Sequence, residues 1–272
     1  MNIYKGCCHG CIYCDSRSEC YRITDFDDVR AKENALSILQ EELRHKTKTG
    51  VIGTGSMSDP YNPFEKEHCL TRHALELMEA FGFGAAIATK SSLITRDIDI
   101  LRVMKENSPV ICKITITNTD DTIAGKIEPN TASSTQRFEA IRLLSEAGIF
   151  AGILFMPVLP FISDTADNVR NLVQLAKANG ARFIYPAFGV TLWNNQREYY
   201  YDKLDQLFPG IKEQYIKQFG DRYQCSSPHA GDLYRLFAQE CEKNRILYKM
   251  KDIITAYKSS YEYKQISLFN FL

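Results

Sequence analysis

Five of the nine cysteines in this 272-residue chain lie between residues 7 and 20, in the stretch YKGCCHGCIYCDSRSECY. Thiolates are soft ligands for zinc and iron, and an odd count gathered at one end reads as a metal site, not as a disulfide framework. Three registers compete. Cys11-x2-Cys14 is half of a structural zinc site, whose other half would have to come from Cys225 and His229, far along the chain. Cys8, Cys11 and Cys14 follow the C-x2-C-x2-C run of a ferredoxin, which needs a further cysteine and then proline where this chain has Ser18 and Glu19. Cys7, Cys11 and Cys14 give C-x3-C-x2-C with Tyr13 before the last cysteine. Three thiolates so placed hold three irons of a cubane and leave the fourth open to an outside ligand.

The elements that must position this loop alternate along the chain. Val29, Leu36, Leu39 and Leu43 recur at helical spacing and predict a helix over 24–46, capped by Thr24 or Asp25. VIGTG at 51–55 is a short buried strand, and Leu70 to Phe81 a helix stopped by Gly82. GAAIATK (84–90), a helix near 98–104, VICKITIT (110–117), a helix over 134–147, IFAGILFMP, a helix near 165–178 and RFIYPAF continue the series. Strands alternating with helices imply right-handed crossovers and a parallel sheet, open and doubly wound or closed towards a barrel. In either architecture the functional loops leave the carboxyl ends of the strands. Beyond Val190 the alternation fails and a tyrosine-rich, helical-looking segment follows, read as an extension over residues 191–272 packed on a core of residues 1–190.

Lysine plus arginine equals aspartate plus glutamate at 33 each, so no global field draws the chain to nucleic acid or an acidic membrane. No apolar run approaches a membrane span, and the N-terminus carries cysteines where a leader would carry basic and then apolar residues, so a reducing, cytoplasmic location is expected.

On its C-x3-C-x2-C motif the sequence resembles the radical S-adenosylmethionine (SAM) superfamily. Within it, YKGCCHGCIYC, SMSDPY, ATKSSL, KITIT, IEPNTASSTQRFEAIRLLSEAGI and FMPVLPF, in this order, resemble the spore photoproduct lyase-like group, which includes proteins described as DNA repair photolyases. The resemblance runs to about residue 190. It implies an α/β fold, a partial (β/α)6 barrel with a mostly helical C-terminal extension, and two cofactors, a [4Fe-4S] cluster and SAM. The reduced cluster of the family donates one electron to the sulfonium, releasing methionine and a 5'-deoxyadenosyl radical that abstracts a substrate hydrogen.

Carried over residue by residue, the resemblance places Cys7, Cys11 and Cys14 on iron, with Cys8 and Cys20 as bystanders. Tyr13 would lie beside the adenine, Ser58 near the methionyl end, Lys90 against the cofactor carboxylate, Thr115 at the ribose and the backbone around Met156 at the adenine. Bland readings stand next to these: Ser58 as a helix cap, Lys90 as a solvated lysine, Thr115 as a strand residue. Glu128 and Arg137 also match family positions and would serve equally as a structural ion pair. Spore photoproduct lyases carry a hydrogen-donating cysteine where this chain has Ser56, and an O–H bond is too strong to replace S–H in that role. Spore photoproduct is therefore not the expected substrate. The chain begins six residues before the first ligand, which raises the expectation of a lost or missing N-terminal extension.

The expected partners follow from the same resemblance and from the tail. DNA or another macromolecule is the expected substrate, and a flavodoxin or ferredoxin the electron donor. QISLF near the C-terminus resembles the peptide by which bacterial repair proteins bind the sliding clamp, with Gln265 leading and Leu268 and Phe269 as apolar anchors; the alternative is that these residues dock on their own domain. Twelve Lys or Arg against ten Asp or Glu from residue 191 onwards leave no electrostatic footprint. Trp193 and Tyr199–Tyr201 would stack on bases or fill a core. A non-catalytic iron-sulfur regulatory or scaffold protein recruited to the clamp is the other class of function.

Overall fold

In the computed structural model, residues 1–261 are described; the expected clamp-binding residues Gln265, Leu268 and Phe269 lie outside them. The chain runs β1 (Tyr4–Lys5), β2 (Arg30–Ala31), α1 (Ala35–Arg44), β3 (Val51–Thr54), the single turn α2 (Glu65–His68), α3 (Leu70–Ala80), β4 (Gly84–Thr89), α4 (Ile98–Asn107), β5 (Val110–Thr115), α5 (Asp121–Ile127), α6 (Ser134–Glu146), β6 (Phe150–Phe155), α7 (Ala166–Ala178) and β7 (Ile184–Pro186). There follow β8 (Gly189–Thr191), α8 (Gln196–Leu207), α9 (Ile211–Phe219), β9 (Gln224–Ser226), α10 (Ala230–Asn244) and α11 (Met250–Lys258).

Strands β3 to β7 form one sheet in the order of the sequence, every neighbouring pair parallel. A doubly wound sheet reverses direction at a switch point; this one never does. Each right-handed crossover therefore adds its strand on the same side, the sheet winds one way, and an open partial barrel results. The sheet has five strands where six units were expected: Tyr4–Lys5, ahead of the cysteine motif, pairs antiparallel with Arg30–Ala31 beyond it instead of joining the sheet. The central strands are buried on both faces, which is why GAAIAT, VICKIT and FAGILF read as near-continuous apolar runs. Pro186, which cannot donate to a ladder, falls in the edge strand β7.

The helices follow their sequence signals. Ser133 caps α6 through a capping box with Gln136, and Thr165 caps α7. In α7, Val169, Leu172, Val173 and Ala176 lie on one face and are fully buried; a leucine so placed contributes about 1.5–3 kcal/mol. The predicted helix over 24–46 is shortened to Ala35–Arg44. Its first half is recruited by the cysteine loop: Phe26 O accepts the Cys7 N–H at 2.8 Å, and Arg30–Ala31 pairs with Tyr4–Lys5. Long-range backbone pairing overrides the helical period there.

The segment after residue 190 packs into two cores. Leu233, Phe237, Cys241 and Ile246 join the principal core with the sheet. Val190, Leu192, Tyr200, Leu204, Tyr215, Phe219 and Cys225 form a second core together with Cys11, Ile12 and Tyr13. The C-terminal helices thus support the underside of the cysteine loop. Among the described residues no helix is long and apolar enough to cross a membrane.

Candidate active site

The cysteine loop lies across the carboxyl ends of the strands and is pinned on every side. Gly6 O accepts from Ser58 Oγ at 2.6 Å, Cys8 O from Asn130 Nδ2 at 3.0 Å, and His9 O from the Asn130 N–H at 3.1 Å. Ile12 N–H donates to Ile127 O at 3.0 Å. The fully buried Gln196 of α8 donates through Nε2 to Tyr13 O at 3.0 Å and to Thr191 O at 2.8 Å. At Gly6, φ is +80° and a Cβ would lie 2.3 Å from Asp28 O, so only glycine lets the loop turn there.

Between this loop and the sheet is a cavity of about 130 Å³. Cys7, Cys11 and Cys14 line it, as do Ser58, Lys90 and Thr115. The wall does not include Cys8, Tyr13 or Met156. The geometry thus brings together three of the five residues expected at the cofactor, and of the adjacent cysteines Cys7 faces the cavity and Cys8 does not. The Ser58 hydroxyl is committed to the loop, which gives it a structural use beyond helix capping. Tyr13 is buried beneath the loop, where its hydroxyl donates to Glu128 Oε1. Lys90 Nζ sits 5.7 Å from the centre of the Tyr13 ring.

Sequence reasoning passed over His9, Ser16, Gly55, Asp59, Thr89 and Leu154, which also line the cavity. Asp59 is the most connected of them. Its Oδ1 accepts the Thr89 hydroxyl at 2.6 Å and the Tyr61 N–H at 2.9 Å, and its Oδ2 accepts the Lys90 N–H at 2.8 Å and lies 3.5 Å from His9 Nδ1. One carboxylate thereby joins the ends of β3 and β4 to the cysteine loop. An acidic residue four positions after the glycine that follows β3 was the available signal; β3 itself is only half-buried, not the buried strand expected, because it is the edge of the sheet.

The electrostatics separate the three thiols. Burial pushes Cys7 up, but the hydrogen bond and charge of His9 and the backbone N–H of Asp59 outweigh it, and Cys7 is left below the ordinary thiol value. Burial pushes Cys11 and Cys14 up, against the pull of Lys90. Burial works against the Lys90 charge, yet Cys11, Glu128 and Asp59 hold its pKa above the ordinary lysine value. Beneath the loop, Glu128 and Arg137 form a buried pair, Oε2 to Nη1 at 2.5 Å, and the same Nη1 donates to Thr115 O at 2.9 Å. Burial raises the Glu128 carboxyl, but the Arg137 and Lys90 charges outweigh it and Glu128 lies low. These two residues are ion-pair scaffolding at the end of β5.

Among the described residues no three His, Cys, Asp or Glu side chains converge as ligands of a single ion would. Cys225 is buried in the second core, its Sγ 3.6 Å from Arg222 O, and makes no three-ligand group with Cys11 and Cys14. The donor set suits a polynuclear cluster, in which each thiolate binds a different iron and bound thiols are deprotonated outright.

Motif, cavity and one-way parallel sheet define a class of protein: a partial α/β barrel that offers three cysteines of a short loop, with one lysine, at the carboxyl ends of its strands. The chain belongs to the Radical SAM superfamily, whose family model matches residues 1–176. The cofactors of that superfamily are a [4Fe-4S] cluster and SAM. An uncharacterized protein of Mycobacterium tuberculosis is 27% identical over 222 residues, covering 79% of this chain and 65% of its own length. One of Methanocaldococcus jannaschii is 33% identical over 167 residues, covering 60% of this chain and 61% of its own. The chain thus spans somewhat under two thirds of the length of these curated relatives.

Among solved structures, a spore photoproduct lyase variant with bound AdoMet and dinucleoside spore photoproduct superposes with a TM-score of 0.64 at 15% identity, covering 89% of this chain and 72% of that one. The radical S-adenosylmethionine methyltransferase TsrM from Kitasatospora setae, with cobalamin and [4Fe-4S] cluster bound, gives 0.60 at 12% identity, covering 96% and 57%. The shared fold extends past residue 190, as does the sequence match to the Mycobacterium tuberculosis relative.

Proposed function

We propose that this chain is a radical SAM enzyme that begins its chemistry by reductive cleavage of SAM and acts on a nucleic acid or another macromolecule other than spore photoproduct. The observation that carries the reading is the convergence of Cys7, Cys11, Cys14 and Lys90 on one cavity at the carboxyl ends of the strands. Cys7, Cys11 and Cys14 would hold the cluster there, and it would supply the electron for reductive cleavage of SAM and so the radical chemistry that removes a substrate hydrogen. The chain's own residues bind and orient. Lys90 would pair with the SAM carboxylate and Thr115 would serve the ribose, both from the cavity wall, while the backbone near Met156, off that wall, would serve the adenine. Tyr13 acts from beneath, holding Glu128 and supporting the Lys90 charge with its ring. A flavodoxin or ferredoxin is the proposed electron source.

Ser56 lines the cavity where the lyase group carries its hydrogen donor, and among the described residues the only sulfhydryls on that wall are the three proposed ligands. This supports a reaction in which no protein thiol returns a hydrogen atom to the product. Anaerobic reconstitution with iron and sulfide, followed by dithionite and SAM, is expected to yield 5'-deoxyadenosine. An intact cluster that produces none would leave a scaffold role in its place. Efficient repair of dinucleoside spore photoproduct would contradict the substrate exclusion.

A further inference from the structure

Trp193 and the tyrosines that follow it could by sequence stack on bases or fill a core, and the fold divides them. Tyr200 is fully buried in the second core and Tyr199 and Tyr201 are half-buried, whereas Trp193, the single tryptophan of the chain, is 45% exposed. It stands just past β8, where the pairing with β9 continues one step beyond the strands, Leu192 N–H to Tyr223 O at 2.8 Å. The end of this ribbon carries Trp193 beside Tyr223, which is 44% exposed; their ring centres are 4.6 Å apart and their planes tilted by 48°.

The backbone under the two rings is fixed. Trp193 N–H donates to Oε1 of the buried Gln196 at 2.9 Å, and Arg197 Nη2 straps the ribbon, donating to Leu192 O at 3.0 Å and to Arg222 O at 2.8 Å. Exposed aromatic rings on a rigid support form a preorganised contact surface, which loses little freedom when a partner packs on it.

Beside the indole is an open cavity of about 480 Å³, walled by Glu19, Cys20, Arg22, Trp193 and Asn194. Its carboxylate is held in place by Asn195 Nδ2, 2.7 Å from Glu19 Oε1. Ser16 lines the cofactor cavity and Glu19 lines this one; three residues of chain put their Cα atoms at most about 11 Å apart. A flat aromatic face, an amide and a carboxylate at its edge and one guanidinium match the parts of a nucleotide: ring face, base edge and phosphate. A duplex keeps its bases stacked on one another and binds chiefly through many phosphate contacts, which the near-balanced charge of residues 191–272 does not supply. An unpaired strand offers its base faces and needs few such contacts.

We propose that Trp193, backed by Tyr223, is a stacking platform for an unpaired nucleic-acid strand, with Arg22 on a phosphate, and that it holds a base flanking the one presented to the cofactor cavity. The role rests on nucleic acid being the substrate. Trp193 carries the face contact, Asn194 and Glu19 meet the base edge, and the C-terminal segment thereby takes part in substrate binding as well as in supporting the cysteine loop.

The test uses the full chain, reconstituted anaerobically with iron and sulfide, and fluorescein-labelled single strands of DNA and RNA of one sequence and about 12 nucleotides, a length within the range of single-strand sites. Trp193 is the only tryptophan, so quenching of its fluorescence by a bound strand reports this site alone. Trp193→Leu is expected to weaken binding, read by anisotropy, about 5- to 150-fold, the loss of one stacked base; Trp193→Phe, which keeps a ring, should lose less. Arg22→Gln is expected to reduce the slope of log affinity against log salt by about 0.7, one phosphate contact on a single strand. The same sequence as a duplex should bind more weakly than either strand.

A strand that binds without quenching the indole overturns the platform and leaves the nucleic-acid reading standing. So does wild-type affinity in a Trp193→Leu chain with unchanged iron content and melting temperature, or a duplex that binds as tightly as the single strand. Should Trp193→Leu melt early, the wild-type quenching and the Arg22→Gln salt slope decide. A wild-type chain that binds neither strand sinks the nucleic-acid reading first and this role with it.

Discussion

Arg137 and Glu128 are joined where water does not reach: Nη1 lies 2.5 Å from Oε2, and the side chains are 1% and 0% exposed. The pair is also a hub. Arg137 donates to Ala132 O at 2.7 Å and to Thr115 O at 2.9 Å, while Glu128 accepts from Tyr13 and, at 3.3 Å, from Thr117 Oγ1. Removing one member of a buried pair strands the other charge, at a cost of about 3–5 kcal/mol. Arg137→Met or Glu128→Leu is therefore expected to lower the unfolding free energy measured in urea by that much, and the double variant by less than the sum of the two. Additive losses would show that the two charges are not coupled.

Cys7 and Cys8 are neighbours in sequence but not in use. Cys7 opens on the cavity, whereas Cys8 is off its wall and has its carbonyl anchored by Asn130. In anaerobically reconstituted protein, Cys8→Ala should retain the wild-type iron content and Cys7→Ala should lose the cluster. The reverse pattern would assign the motif to the ferredoxin-like register.

Lys90 is the cation of the cavity, its backbone fixed by Asp59 and its ammonium poised over Tyr13. A charge-assisted hydrogen bond contributes about 1.5–3 kcal/mol, so Lys90→Met should weaken SAM binding by roughly 10- to 150-fold. Calorimetry on the cluster-loaded protein measures it. An unchanged dissociation constant would leave Lys90 as a structural counter-charge of the cavity with no part in SAM binding.

Gly55 ends β3 at the cavity wall with φ +90°, and a Cβ there would lie 1.9 Å from Ala88 O in β4. The obstacle is backbone, which cannot swing aside as a side chain would. Gly55→Ala is expected to cost more than the roughly 1 kcal/mol of an ordinary glycine exchange and to reduce cluster loading along with stability. A chain that melts as the wild type does would refute the close approach.

The tail lies outside the described residues, and its proposed partner is tested directly. Deletion of residues 265–269 should abolish capture of the chain by an immobilised sliding clamp while leaving 5'-deoxyadenosine formation intact. Undiminished capture would end the clamp proposal.

Much of the site was legible because local chemistry writes itself into short stretches. Spacing offers three cysteine registers, of which the missing completion at Ser18 and Glu19 favours Cys7, Cys11 and Cys14, and Lys90 and Thr115 stand at or beside the carboxyl ends of strands that their apolar runs already mark. Less legible were residues whose roles are relations between distant segments. Asp59 looks like any loop aspartate until Thr89, Lys90 and His9 are placed round it. Residues 24–34 carry a helical period, but their backbone is claimed by the cysteine loop.

The sequence by itself determined the motif, the alternation of strand and helix, and hence a parallel α/β sheet, because these depend on neighbours a few residues apart. It left open whether the sheet was doubly wound or barrel-like, whether Glu128 and Arg137 were partners, and what the C-terminal segment supports. Only the tertiary structure decided these. Strand order, burial and ion pairing are set by which segments exclude water from one another, and Gln196 reaching back to Tyr13 across the whole chain is a contact that no local pattern encodes.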